Sequence, residues 1–180
     1  MTANSAVVRP VAPGDLETVG AIYAHYVRHT VVTFDENAPA TADWQRRLDE
    51  LSARGLPFLA VEYCGDVVGY AYATPWRAKP AYRHTVESSI YLAPDRTGRG
   101  LGGVLLRDLL EACAAARVRQ VIAVIADAGT GASVALHRRH GFTDAGRLAA
   151  VGAKHGRWID TLLMQRTLVP RPAGLPVPPQ

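Results

Sequence analysis

Hydrophobic positions along this chain fall into two rhythms. In Leu16 to Val27 the side chains Leu16, Val19, Ile22, Tyr23 and Tyr26 recur every three or four residues, the spacing of one helix face. Thr41 to Ala53 repeats the pattern with Trp44, Leu48 and Leu51, opens on Thr41 as an N-cap and stops at Gly55. A third helix, about Gly102 to Ala116, carries Leu105, Leu106, Leu109, Leu110 and Cys113 as one stripe. A short fourth, roughly Ser133 to His140, ends at Gly141.

The second rhythm has a period of two or is apolar throughout. Val7 to Val11 reads as a short strand, and "PFLAVEYCGDVVGYAYATP" as a hairpin around Gly65 and Asp66. Thr85 to Leu92 alternates, with Val86, Ser88, Ile90 and Leu92 on one side and Glu87, Ser89 and Tyr91 on the other. Gln120 to Ala126, "QVIAVIA", is continuously apolar, as expected of a strand covered on both faces. Two final strands, near Phe142 to Val151 and Trp158 to Leu168, flank a tight turn tipped by Gly156. Helices and strands interleave, which predicts a mixed α/β domain.

A length of 180 residues suits one domain, and 48% hydrophobic with 20% charged residues is the balance of a soluble globular protein. Only Val169 to Gln180 differs: five prolines mark a mobile tail after a folded domain of residues 1–168. No signal-peptide pattern and no apolar run of membrane-spanning length is present, so the expectation is a cytoplasmic protein without a membrane partner. Cys64 and Cys113 lie far apart without a C-x-x-C, and no His, Cys and Asp cluster has metal-ligand spacing, so neither disulfide nor metal is expected. The net charge of +4 is spread along the chain without an aromatic-basic RNA motif; it argues against nucleic acid and suits a small polyanionic ligand or simply solubility.

Candidate chemistry concentrates after the alternating strand, where Gly98, Gly100, Gly102 and Gly103 precede a leucine-rich helix. A glycine-rich turn at a helix N-terminus presents unpaired N–H groups and a positive dipole end to a phosphate. Read literally, Gly98 to Gly103 satisfies G-x-G-x-x-G, with Asp127 near the end of the next strand as a ribose ligand. Against a dinucleotide stand the spacer Asp95-Arg96-Thr97, the alternating rather than apolar strand, and only about 40 ordered residues after Asp127, too few for a second mononucleotide half. A P-loop is excluded because no Lys-Ser or Lys-Thr follows the glycines.

"RGLG" after a strand, a leucine-rich helix, an apolar strand and then "LHRRHGF" resemble the acetyl-CoA-binding core of the GCN5-related N-acetyltransferases (GNAT). The family's Q/R-x-x-G-x-G/A signature aligns on Thr97 to Gly102, with Thr97 departing at its first position. "HYVRHTVVTF", "PWRAKPAYRHTVESSIYL", "SVALHRRHGF" and "GAKHGRWIDTLLMQR" are similar in order and spacing to the phosphinothricin and methionine sulfoximine N-acetyltransferase subgroup, and together span nearly the whole folded chain. The resemblance implies a GNAT fold with a central mixed, mostly antiparallel sheet flanked by helices, acetyl-CoA as co-substrate, a small amino-acid-like substrate, direct transfer in a ternary complex and a homodimer.

The resemblance also implies site residues. The cofactor would lie along Ile90, Tyr91 and Leu92, with its pyrophosphate on Thr97, Gly98, Arg99, Gly100, Leu101, Gly102 and Gly103, mostly through main-chain donors from Arg99 to Gly103, and with Thr130 and Ser133 beside it. Thr130 stands where the family commonly has Asn, as an N-cap or a CoA contact. The amine must lose a proton before it can attack, and Glu87 is the candidate base; the alternative is a solvated strand residue. His137 is a second catalytic candidate as proton donor to the thiolate or ligand to the amine, against a packing or capping role. Phe34, Arg77, Lys79, Tyr82, Ser89 and Tyr91 would bind the substrate, two cations suiting its anionic groups; the alternative for Arg77, Lys79 and Tyr82 is a solvated basic loop. Trp158 is a pocket wall, a dimer contact or, by default, a core residue.

Overall fold

The computed structural model describes residues 6–168; the proline-rich segment 169–180 lies outside the described residues. The strands are β1 (Val7–Pro10), β2 (Phe58–Tyr63), β3 (Asp66–Pro75), β4 (Thr85–Leu92), β5 (Gln120–Ala126), β6 (Thr143–Lys154) and β7 (Arg157–Thr167). The helices are α1 (Leu16–His29), α2 (Thr41–Ala53), α3 (Leu101–Ala115) and α4 (Ala132–Arg139). One sheet runs in the order β1-β2-β3-β4-β5-β7-β6. Every neighbouring pair is antiparallel except β4 with β5. That parallel pair lasts only from Thr85 opposite Gln120 to Ser88 opposite Ala123. Past Ser88 the two strands part, and the sheet is split from there to their C-terminal ends.

Each face of the sheet has its own core. Against one packs the stripe of α3, where Leu105, Leu106, Leu109 and Cys113 are fully buried with Val86, Val121, Ala123, Phe142 and Met164. Burying a leucine is worth about 1.5–3 kcal/mol, so this stripe fixes α3, and with it the glycine loop at its start, over the split. Against the other face α1 and α2 close an aromatic core, in which Trp44 lies edge-on to Tyr23 (5.4 Å) and Tyr70 (5.6 Å), and Tyr70 stacks on Tyr91 (5.6 Å). The alternation in β4 serves these two cores at once: Val86 belongs to the α3 side and Tyr91 packs on the aromatic side.

Three sequence expectations are corrected. Thr41 is the first residue of α2 rather than its cap; Ala40 holds the cap position, and its N–H donates to the Asp43 carboxylate at 2.7 Å. β5 is covered on both faces only through Ala123, since Val124 is 36% exposed and Ala126 half-buried where the split uncovers them. Trp158 is 75% exposed on the β6–β7 hairpin and is no part of the core. β6 is also longer than expected, reaching Lys154, because two register shifts let it bend while still pairing with β7.

Candidate active site

The Ser88 hydroxyl donates to the Ile122 carbonyl at 3.3 Å where the β4–β5 pairing ends. Beyond this fork the facing edges, Ser89 to Leu92 and Val124 to Ala126, line a cleft of about 940 Å³. Strand edges without a ladder partner offer N–H and C=O groups to an extended ligand. One such group is taken: the Tyr26 hydroxyl donates to the Leu92 carbonyl at 2.7 Å.

At one end the cleft reaches Thr97, Gly98, Gly100, Gly102 and Gly103. Gly98 and Gly100 have φ of +73° and +79°, and a Cβ on either would meet nothing within 4 Å, so glycine serves backbone conformation there and leaves the loop open above. The N–H groups of Arg99, Gly100, Leu101 and Gly102 have no backbone acceptor, whereas that of Gly103 donates to the Gly100 carbonyl at 3.0 Å. Four free donors at the positive end of a fifteen-residue helix suit a pyrophosphate. The expected run of donors thus ends one residue earlier, at Gly102. The Leu101 side chain is buried in the core, leaving only its N–H for a ligand, and Arg96 pairs with Asp95 at 3.1 Å.

The side chain of Glu87 enters the cleft next to the fork. Its carboxyl is raised above the usual range by burial, an effect the Arg77 charge opposes. Arg77 in turn lies over the Trp76 ring at 4.7 Å. His137 lines the opposite wall, 2% exposed, with Phe142 edge-on at 4.9 Å. Its Nδ1 is 2.8 Å from the Ser133 carbonyl, and a carbonyl only accepts, so Nδ1 carries the proton. Burial lowers its pKa, with a smaller push from His140 against the Ser133 bond, so the ring is neutral at pH 7 and Nε2 is an acceptor. Ser133 also lines the cleft; Thr130 lines it too but is not the cap of α4, a position that falls to Gly131.

Of the expected substrate residues, Phe34, Ser89 and Tyr91 line this cleft, whereas Arg77, Lys79 and Tyr82 lie on the exposed loop after β3. Several lining residues escaped the sequence reading. Tyr72 stands opposite Ser89 on β3, on the Glu87 face, and its phenol oxygen accepts from Arg47 at 2.8 Å. Thr161, buried on β7 opposite Ala126, lines the cleft with a hydroxyl that has no hydrogen-bond partner. Only the strand register brings either to the cleft; the nearest sequence signal, for Tyr72, is the alternation of "GYAYAT", which shows a face but not what it faces.

The dinucleotide alternative ends at the sheet: among the described residues only β4 and β5 pair in parallel, not the strands of two mononucleotide halves, and Asp127 pairs with Arg147 at 3.0 Å. The acetyltransferase (GNAT) domain model matches residues 8–163. The chain belongs to the GNAT acetyltransferase family. Among its GNAT relatives, a phosphinothricin N-acetyltransferase of Alcaligenes faecalis is 47% identical over 161 residues, covering 89% of this chain and 82% of that protein. An L-methionine sulfoximine/L-methionine sulfone acetyltransferase of Pseudomonas aeruginosa is 38% identical, covering 92% and 96%. The crystal structure of a GNAT phosphinothricin acetyltransferase from Sinorhizobium meliloti in complex with acetyl-CoA superposes with a TM-score of 0.88, at 41% identity over 96% of this chain and 93% of that one. The expected mixed, mostly antiparallel GNAT sheet flanked by helices is borne out, and the protein is a GNAT-family N-acetyltransferase. Among the described residues no helix is long and apolar enough to cross a membrane.

Proposed function

We propose that this enzyme acetylates the α-amine of a small amino-acid analogue of the phosphinothricin or methionine sulfoximine type, using acetyl-CoA. One observation carries the reading: a single cleft joins the free N–H groups at the start of α3 to the half-buried carboxylate of Glu87. The loop fits the cofactor's pyrophosphate because its positive-φ glycines leave space above four free donors. When bound, acetyl-CoA supplies the acetyl group as a thioester. Glu87 takes the proton from the substrate ammonium, and its raised affinity for a proton brings it closer to that task than a solvated carboxylate. Tyr72, held by Arg47, and Ser89 orient the amine on the Glu87 face. Arg77 meets an anionic group of the substrate at the mouth, where Lys79 and Tyr82 border the same loop.

Transfer is direct, with both substrates bound together. In support, neither cysteine lines the cleft: Cys64 is exposed on a turn and Cys113 is buried, its thiol pushed up to about 12 by desolvation. Initial-velocity plots with both substrates varied should intersect; parallel lines would replace this route with a covalent one. The active form is a homodimer, an inference supported by Trp158, 75% exposed on the β6–β7 hairpin, and light scattering at working concentration tests it.

The decisive assay follows thiol release from acetyl-CoA, with the product's mass measured, across phosphinothricin, methionine sulfoximine, methionine sulfone, ordinary amino acids, spermidine and a short peptide. Turnover is expected with the first three. Acetylation of spermidine or peptide alone would overturn the substrate assignment, and no turnover while acetyl-CoA still raises the melting temperature would leave a binding module.

A further inference from the structure

Gly152 stands on β6 opposite Ile159, just after a register shift that begins at Leu148. Asp160 pins that bulge by accepting the Ala150 N–H at 2.7 Å. The backbone at Gly152 is not left-handed, so conformation does not demand glycine there; space does. A Cβ on Gly152 would lie 2.3 Å from Cε2, 2.5 Å from Cζ and 2.7 Å from Cδ2 of Phe34. The Phe34 ring therefore rests flush on bare backbone, while 39% of the residue remains exposed and it lines the cleft.

The backbone beside that ring is tied from two directions. Lys154, two residues beyond Gly152 and 5% exposed, donates from Nζ to the Thr33 carbonyl at 2.8 Å, with no carboxylate at ion-pair distance among the described residues. From α1, the Tyr23 hydroxyl donates to Asp35 at 2.6 Å, and so accepts the Thr33 hydroxyl proton, also at 2.6 Å. Burying an ammonium is costly; the Asp35 and Glu36 charges offset this only from beyond ion-pair distance, and the hydrogen bond is spent on holding a loop carbonyl. These ties add to the loop's own turn, in which the Asp35 N–H donates to the Thr33 hydroxyl at 3.3 Å.

We propose that Gly152 and Lys154 are positioning residues that set how far the Phe34 ring reaches into the cleft, and thereby the size of amino-acid side chain the enzyme accepts. The inference rests on the reading above, in which the Phe34 wall borders the amine substrate. Gly152→Ala displaces the far end of the ring away from β6, narrowing the pocket without forcing the backbone. Lys154→Met keeps the alkyl stem but frees the Thr33 carbonyl, so the ring loses its fixed place.

Two readouts test this. The first is selectivity: in Gly152→Ala, kcat/KM for the bulkier analogues should fall roughly tenfold relative to the smallest accepted amino acid, through KM, with the KM for acetyl-CoA unchanged. Adding Phe34→Leu, which makes room for the new methyl, should restore the ratio. The second needs no substrate: 4-fluorophenylalanine at position 34 should show a shifted 19F resonance in Gly152→Ala and a broadened one in Lys154→Met. An unchanged resonance in both overturns the proposal, as does a selectivity ratio that stays at the wild-type value or that Phe34→Leu fails to restore. A wild-type enzyme that acetylates none of the amines, yet shows the expected 19F changes, refutes the substrate reading and leaves the seating of Phe34 standing.

Discussion

Ser88 donates its hydroxyl to the carbonyl of Ile122 at 3.3 Å, on the last step before β4 and β5 separate. A buried serine in an otherwise apolar strand face is thereby accounted for: it ties the two strands where their own ladder stops. Ser88→Ala removes that tie and should lower unfolding free energy by about 1 kcal/mol in urea titration. Because the adjacent Glu87 depends on the same fork, kcat should fall as well, while acetyl-CoA still stabilises the variant. A variant as stable and as active as wild type would show that backbone pairing alone holds the fork.

Glu87 gives the sharpest chemical prediction. Burial raises its folded pKa above that of the unfolded chain, so the folded state binds this proton more tightly. The share of stability that Glu87 contributes therefore falls as pH rises through the interval between the two values. A base must be ionised, so kcat rises about the folded pKa, the upper end of that interval. Glu87→Gln should lower kcat by roughly a hundredfold or more with little change in acetyl-CoA affinity, and should remove this group's share of both pH profiles. Unchanged turnover at neutral pH would remove Glu87 from the reaction.

Gly100 is predicted to be sensitive for conformational reasons alone. At φ +79° an alanine is strained although its methyl group meets no atom, so Gly100→Ala should cost about 1 kcal/mol of stability. The same change tilts the N–H groups that the loop presents. Acetyl-CoA affinity, read by calorimetry, should drop several-fold more than amine KM rises. Equal losses in both would mean that the loop does not select the cofactor.

How much of this was legible beforehand follows from the range of the interactions. The strand Thr85–Leu92 was read to the residue, because period-two alternation is local and both of its faces are buried differently. The glycine loop and α3 were equally plain, since helix stripe and breaker residues mark themselves. What failed was anything set by a distant partner. "QVIAVIA" reads as fully buried, yet half of it borders a cleft that opens where its pairing with β4 ends. Trp158 reads as core but sits on a hairpin whose outer face α-helices do not cover. Tyr72, Thr161 and the Lys154 contact to Thr33 are joined to the site by pairings and by 121 residues of separation, for which no periodicity gives a signal.

His137 tests whether a histidine in the cleft must belong to the chemistry. Its proton is on Nδ1 and committed to the Ser133 carbonyl, its ring is packed on Phe142, and burial holds its pKa below the ordinary value of about 6.5. On acidification the unfolded chain takes the proton first, so stability should decline as pH falls below about 6.5 toward the folded pKa. Asparagine offers an amide N–H near the same place but does not titrate. His137→Asn should thus reduce that acid-side decline to the share left by His140, whose pKa burial also lowers, while lowering kcat at least tenfold less than Glu87→Gln does. If instead its kcat falls as far as that of Glu87→Gln, with the stability profile unaltered, then the imidazole exchanges tautomers during turnover and donates a proton from Nε2, and the packing role argued from its geometry is wrong.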